Sequence, residues 1–208
     1  MKKRTIFTLV FWLCAIALGY ALVDTIKTSI EQEQLIKESE ARVIERLKII
    51  REAQKTYQLR YGKYAASWDS LEKFMKEGVI YNVSKREVVI PKDKIRTLET
   101  YYLGDSVKTY YDTLGTIPAI NSVFEEGKPT FNLDSMRFIP GKKEGKQFKM
   151  FVEKKPTGKT DIMADYIEVI DPFPVNPERS DENTNRRTKF LRFGSLNEVS
   201  TVGNWEDK

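Results

Sequence analysis

The sequence contains no histidine and one cysteine, Cys14. The missing imidazole removes the commonest general base and excludes zinc sites built on histidine. A lone cysteine cannot form an intramolecular disulfide. Because Cys14 lies within an apolar run, a cysteine nucleophile is excluded as well. These absences favour a protein that works without catalysis, and we expect neither an enzyme nor a cofactor.

Beyond the N-terminus the chain carries little net positive charge. The formal net charge is +5 in 208 residues, and Lys2, Lys3 and Arg4 supply three of these charges. The remaining 32 basic and 30 acidic residues are interleaved and leave a net charge of +2. A nucleic-acid-binding surface needs clustered basic residues. We therefore expect no nucleic-acid partner.

The N-terminus has the pattern of a membrane anchor. A basic tip, residues 1–5, precedes an uncharged apolar run over residues 6–23, and no acidic residue comes before Asp24. As a helix this run is about 27 Å long, just enough to cross a lipid bilayer. Positive charges before the span predict a cytoplasmic N-terminus. We therefore expect a single-pass inner-membrane protein whose C-terminal domain is periplasmic or otherwise extracytoplasmic.

A cleaved signal peptide is the alternative for the same segment. The strongest apolar stretch covers residues 6–18, and Gly19 and Ala21 are small residues at the positions that a signal peptidase reads. We favour retention because helix-compatible sequence continues through the possible cleavage site. No glycine or proline occurs between Tyr20 and Tyr61.

Residues 24–61 are predicted to form an amphipathic stalk helix. A narrow stripe of mainly apolar side chains recurs along one face of this helix. We call it the stalk stripe: Ile36, Val43, Leu47, Ile50, Tyr57 and Tyr61. It is the candidate interface, either with the protein's own sheet or with another helix in self-assembly. Glu40 and Gln54 interrupt the heptads that a coiled coil needs, and this favours packing on the sheet.

The rest of the chain, residues 62–208, is predicted to be one α+β domain with an antiparallel β-sheet. Gly62 ends the stalk, and a short helix follows with Ser67 as its N-cap and Gly78 as its stop. Strands are expected at residues 79–83, 87–90, 136–139, 147–153, 166–170 and 191–193. Residues 140–146 suit a hairpin loop and 171–187 an exposed loop. Residues 97–131 permit no prediction of their fold.

Two groups of polar side chains are candidates for a metal site. Asp161, Asp165, Glu168 and Asp171 do not follow the spacing of a calcium loop, and strand alternation explains Asp165 and its flanking apolar residues about as well as a site does. The segment 180–183 resembles a metal-binding loop even less. We expect no metal site in either group.

Paired tyrosines offer a further binding surface. Tyr101 with Tyr102, and Tyr110 with Tyr111, are adjacent in sequence, and Tyr64 lies near the end of the stalk. Neighbouring residues of a strand point to opposite faces, so one tyrosine of each pair should lie in the core and the other in solvent.

The plan of a membrane helix prolonged into an amphipathic half that leads into an antiparallel sheet resembles the type IV pilin and type II secretion pseudopilin family. Two segments carry the resemblance: 49-IIREAQKTYQLRYGKYAASWDSLEKF-74, and 193-FGSLNEVSTVGNWE-206. Prepilins have a processing glycine before the apolar segment, whereas here no glycine precedes Ile6. The resemblance thus implies a permanently anchored, pilin-like subunit of a bacterial envelope assembly, with the lipid bilayer and other envelope proteins as its partners. The alternative is an exported, signal-cleaved module that binds a glycan or a protein.

Overall fold

The computed structural model describes residues 3–90, 106–124, 127–142, 145–157 and 162–206. It confirms an α+β fold in which one long N-terminal helix leads into two small antiparallel sheets. The helices and strands are α1 (Lys3–Tyr61), α2 (Trp68–Glu77), β1 (Val79–Ile90), β2 (Ser106–Pro118), β3 (Lys149–Pro156), β4 (Met163–Ile170) and β5 (Arg192–Ser195).

Helix α1 is continuous over 59 residues, which corresponds to about 88 Å at the helical rise. It ends where the sequence predicts, because Gly62 takes a positive φ of 71° and its amide donates to the Gln58 carbonyl at 2.7 Å. A residue with a Cβ is disfavoured in this left-handed conformation. The chain can therefore turn back towards α2.

The predicted caps of α2 are also confirmed. The Ser67 hydroxyl accepts a hydrogen bond from the Ser70 amide at 3.3 Å, which satisfies one of the unpaired donors of the first turn. At the other end, the Gly78 amide donates to the Phe74 carbonyl at 2.7 Å. The helix buries Leu71, Phe74 and Met75 and thereby covers the end of α1.

The core lies between the C-terminal half of α1, α2 and the three-stranded sheet. Its members are apolar side chains that each element contributes from one face. They include Val43, Leu47, Ile50 and Ala53 from α1, Leu71 and Met75 from α2, and Ile167, Val169 and Phe193 from the sheet. The stalk stripe therefore packs within its own domain from Val43 to Ile50.

The three-stranded sheet has the order β3-β4-β5, and all its pairs are antiparallel. Strands were expected at 147–153, 166–170 and 191–193, and β3, β4 and β5 confirm them with shifted ends. Gly194 in β5 has a φ of 77°, and a Cβ at this position would overlap the Ile167 carbonyl oxygen. The sheet therefore needs glycine there.

Two strand predictions are corrected. Residues 79–83 and 87–90 were expected to be separate runs, but they form one strand, β1, whose register with β2 shifts between Asn82 and Val83. A bulge absorbs the irregular sequence that suggested a turn. Residues 136–139 were expected to be a strand, but a 3-10 turn at Leu133–Ser135 precedes them, and they contribute only a bridge between Phe138 and Gln147.

Residues 136–139 contribute side chains to the core but form no continuous hydrogen-bonded ladder with another strand. The Asn132 side chain accepts from the Asp134 amide at 3.0 Å, which starts the turn. Met136 and Ile139 then point into the core. Beyond them, the Ile139 amide donates to the Lys146 carbonyl at 3.1 Å, as expected across a hairpin loop at 140–146, of which 143–144 lie outside the described residues.

Candidate functional site

The stalk stripe divides into a buried middle and more open ends. Val43, Leu47 and Ile50 are buried in the core. Ile36 and Tyr57 are partly buried, whereas half of the Tyr61 surface is exposed. The middle of the stripe is thus occupied by the protein's own domain, and another molecule can reach only its ends.

An aromatic cluster closes the distal end of the stripe. The rings of Tyr57 and Tyr61 have centroids 4.6 Å apart, and both lie edge-on to Phe74 of α2, at 5.1 and 5.6 Å. Such tilted and edge-to-face pairs add stability beyond the area they bury. Tyr57 and Tyr61 therefore hold α2 against α1.

Gln54, which interrupts the heptad pattern, has a structural role. It is buried, and its side-chain amide exchanges two hydrogen bonds with the Ala65 backbone, donating at 3.1 Å and accepting at 2.9 Å. A buried amide is tolerated when its partners are fixed in this way. Gln54 therefore pins the chain reversal after α1.

Glu40, the second interruption, is paired across the fold. Arg179 donates to both its carboxylate oxygens, at 2.5 and 2.9 Å, and also to the carbonyls of Arg187 and Lys189. Burial raises the pKa of Glu40, but hydrogen bonds and charge from Arg179, with help from Asn176, outweigh burial and leave the pKa lowered. The pair ties the loop at 171–187 to α1.

The predicted carboxylate group does not converge on a common centre in the described part of the chain. Glu168 pairs with Arg192 at 3.0 Å, and Asp171 accepts from the Phe173 amide at 2.8 Å. Burial raises the pKa of Asp171. Asp165 stands opposite Lys154 in the β3–β4 ladder, and Asp161 lies outside the described residues. Among the described residues, no three acidic or cysteine side chains are grouped to hold a metal ion.

The segment 180–183 is held by internal contacts. Asp181 pairs with Arg192, and the side-chain amide of Asn183 donates to the carbonyls of Glu178 and Thr188, both at 2.8 Å. These polar side chains therefore fix the conformation of the loop and its position on β5. The loop at 171–187 is better ordered by hydrogen bonds than its composition indicates.

Residues 11–35 of α1 are exposed on all sides. Side chains from Phe11 to Leu35 lie outside the domain, and they include Trp12, Ile16 and Leu22. This is the one helix within the described ranges that is long and apolar enough to span a membrane. An apolar surface of this kind is unfavourable in water, so a lipid phase suits it.

The domain also exposes apolar side chains on a surface that the sequence did not reveal. Strands β1 and β2 form a two-stranded hairpin, which we call the β-arm, and they pair antiparallel over their whole length. Ile80 packs against the core, and the Tyr81 hydroxyl accepts from Arg60 of α1 at 3.2 Å. Beyond this base the described arm residues are largely exposed on both faces.

The two faces of the β-arm differ in chemistry. Strand alternation and the observed register place residues of both strands on one face, which we call the arm face: Val83, Lys85, Glu87, Val89, Val107, Thr109, Tyr111 and Thr113. The opposite face carries Ser84, Arg86, Val88, Lys108, Tyr110 and Asp112. The arm face is thus largely uncharged, whereas the opposite face has three charged side chains.

The adjacent tyrosines of the arm show this difference directly. Tyr110 is 38% exposed, because Arg86 and Lys108 lie over its ring at 5.5 and 5.2 Å. Tyr111, on the arm face, is 68% exposed. The expectation that one tyrosine of the pair lies in the core is wrong, since a two-stranded hairpin has no core on either side. Tyr64 is buried, and Tyr101 and Tyr102 lie outside the described residues.

Sequence reasoning missed the arm because β2 falls within residues 97–131, which permitted no prediction. Its signal was the alternation of β-branched and aromatic residues in 106-SVKTYYDTLGTIP-118. Without a recognisable turn, that segment could not be matched to β1.

Comparisons of the chain with family models, curated proteins and solved structures return no match. The structure itself therefore defines the class: an α+β domain built around the distal half of a long helix, with an exposed apolar helical segment at one end and an exposed β-arm at the other.

Proposed function

We propose that the protein is a membrane-anchored, non-enzymatic, pilin-like interaction subunit of a bacterial envelope assembly, of the kind used in secretion or surface appendages. Its place would be the inner membrane, with a cytoplasmic N-terminus and an extracytoplasmic domain. Its partners would be the lipid bilayer and other envelope proteins.

The observation that carries this proposal is the continuity of α1. One unbroken helix has an exposed, largely apolar segment from Phe11 onward and a C-terminal half whose residues Val43, Leu47 and Ile50 lie in the core of the domain. No turn separates the two parts, so the domain is held at a fixed distance from whatever surrounds the apolar segment. That arrangement suits a subunit that must present a surface at a set height above a membrane.

A role without catalysis is supported by how the polar side chains are used. The sequence has no histidine, and Glu168 and Asp171 have structural partners. In contrast, the arm face exposes Tyr111 and valines without a core beneath them. Exposed aromatic and aliphatic side chains are typical of protein-binding surfaces.

Membrane attachment is tested by washing membranes at alkaline pH and sequencing the N-terminus of the retained protein. We expect the full chain to stay in the membrane with its first residues intact. A mature chain that begins near Leu22 and washes free would instead establish the exported, signal-cleaved module.

The interaction role is tested by placing a photo-reactive phenylalanine analogue at Tyr111 in the intact cell. Tyr110, which neighbours it on the opposite face, is the matched control. We expect crosslinked adducts with envelope proteins, this chain included, from position 111 and few from position 110. Absence of adducts from position 111 contradicts an interaction role for the arm.

A further inference from the structure

We propose that the β-arm is a self-association surface in which two copies of this chain pack arm face on arm face, with Lys85 of each copy opposite Glu87 of the other. This inference rests on the proposed interaction role and names the partner of that surface. Self-assembly expected from the sequence was assigned to the stalk stripe, whereas the arm is a different part of the fold.

The β-arm needs a covering layer. A two-stranded hairpin is at best marginally stable in water, and a third layer or strand normally supports it. Here the strands are 12 and 13 residues long, and beyond Tyr81 they expose Val83, Val89 and Tyr111 on one face. Side chains of this kind are favoured in strands because they pack against a neighbouring surface.

The charges of the arm face indicate what covers it. Among the described residues of this face, the charged ones are Lys85 and Glu87, which pair with each other along β1. The face is therefore neutral overall but carries one positive and one negative charge side by side. A strongly charged partner would find no opposite charge here to balance its own. An identical face would, because its Glu87 can pair with Lys85 and its Lys85 with Glu87.

The apolar residues repeat this symmetry. Along β1 the arm face has Val83 and Lys85 on one side of Arg86, and Glu87 and Val89 on the other. When two such faces stack with opposite strand directions about an axis level with Arg86, Val83 of one copy meets Val89 of the other and Lys85 meets Glu87. On β2 the same axis brings Val107 to Thr113 and Thr109 to Tyr111. A homodimer needs a surface that is complementary to itself in this way.

The size of the arm is adequate for a small interface. A strand of 12 residues extends about 40 Å, and stacked sheets lie about 10 Å apart, which lets facing side chains interdigitate. Tyr111 offers a large apolar ring with a polar end, which makes it the expected central contact. The opposite face, with Arg86, Lys108 and Asp112, stays in water.

The first test locates the contact. In full-length protein in lipid nanodiscs, with Cys14→Ala to remove the native thiol, Thr109→Cys places a thiol on the arm face and Lys108→Cys places one on the opposite face. We expect a short bis-maleimide to crosslink the Thr109→Cys protein into dimers and to leave the Lys108→Cys protein monomeric. Equal crosslinking of both variants, or none in either, overturns the proposal.

The second test identifies the partner as the same chain. Lys85→Glu and Glu87→Lys each place like charges opposite one another in the proposed dimer, so each should weaken self-association about tenfold. The double variant K85E/E87K restores the pairing, and a mixture of the two single variants forms heterodimers. Arg86→Glu and Asp112→Lys make the same charge changes on the opposite face and should leave self-association unchanged.

Sedimentation of differently tagged copies reads out these equilibria. Self-association that is the same in all variants belongs to another surface, such as the membrane helix, and overturns the proposal. Failure of K85E/E87K to regain wild-type association does so as well. If a charge variant fails to fold, the crosslink at Thr109→Cys decides the matter, since it leaves the arm's charges intact. An adduct from Tyr111 with a different envelope protein alone would support the interaction role while refuting self-association.

Discussion

A substitution at Ile50 best distinguishes the two possible roles of the stalk stripe, which are packing within the domain and contact with another molecule. Its side chain is fully buried in the core. Ile50→Asp buries an unpaired charge and removes apolar contacts, so we expect the free energy of unfolding to fall by about 4 kcal/mol or more. That is a large part of the free energy of unfolding of a typical domain, which is roughly 5–15 kcal/mol. Circular dichroism during urea unfolding measures it.

The matched control is Leu59→Asp on the same helix. Leu59 is 74% exposed, so the same chemical change there should leave the unfolding midpoint nearly unchanged. A folded Ile50→Asp protein that fails only to assemble would contradict the internal packing and would identify the stripe as a seam between molecules.

Gly194 and Gly62 form a second residue-level comparison. Both have positive φ values, 77° and 71°, but only at Gly194 would a Cβ overlap a backbone atom, the Ile167 carbonyl oxygen. Gly62→Ala meets conformational strain alone and should lower the free energy of unfolding by about 1 kcal/mol. Gly194→Ala must also separate β5 from β4, and we expect a loss at least twice as large. Equal losses in thermal unfolding would contradict this account of β5.

At the scale of elements, the ion pair between Glu40 and Arg179 tests how the loop at 171–187 is fastened to α1. Arg179→Ala leaves the Glu40 carboxylate partly buried without its partner, and we expect the free energy of unfolding at neutral pH to fall by about 2–3 kcal/mol. Glu33→Gln, which removes an exposed pair with Lys37 on the same helix, is the control and should change little.

The same pair predicts a pH dependence. The folded pKa of Glu40 is lowered below its ordinary value of 4.5, so the stabilisation is fully present above that pH and is lost as the pH falls through the folded pKa. Arg179→Ala removes this contribution. Between pH 6 and about pH 3 the variant should therefore lose less stability than the wild type. Parallel losses would show that the pair does not set the pKa of Glu40.

Elements whose ends are set by nearby capping or helix-terminating residues could be predicted from the sequence. Elements that depend on pairing with a distant segment could not. Gly62, Ser67 and Gly78 act within one turn of the chain, and the ends of α1 and α2 follow from them. The β-arm depends on pairing between residues 79–90 and 106–118, and no short turn sequence connects them. The bridge at Phe138 likewise depends on Gln147 rather than on the composition of its own segment.

The same limit applies to the candidate site. The stalk stripe can be recognised in the sequence because a helical period shows within one segment, and Glu40 and Gln54 interrupt that period. Their partners, Arg179 and the Ala65 backbone, lie elsewhere in the fold and cannot be inferred from a heptad. The arm face depends on the register of two strands, so its separation of apolar from charged residues appears only in the structure.

At the scale of the whole molecule, α1 joins the domain that carries the β-arm to the segment that we propose spans the membrane. From Val23 to Tyr61 the helix rises about 57 Å, and its first part carries no domain around it. Since the distal half of α1 lies in the core, the domain cannot rotate freely on a linker. A partner that binds the β-arm would thus meet it at a defined height and orientation.

On the proposed membrane attachment, the asymmetry of charge around the apolar segment predicts its orientation. Lys2, Lys3 and Arg4 precede it, and the next basic residue is Lys27. We therefore expect protease added to intact spheroplasts to remove a C-terminal epitope tag without lysis. Replacing the three N-terminal basic residues with glutamine and adding lysines at Thr25 and Thr28 should protect the tag in part of the population. Making only the two lysine additions is the control. A tag that is protected in the wild-type protein until lysis would place the domain in the cytoplasm and would contradict the proposed location.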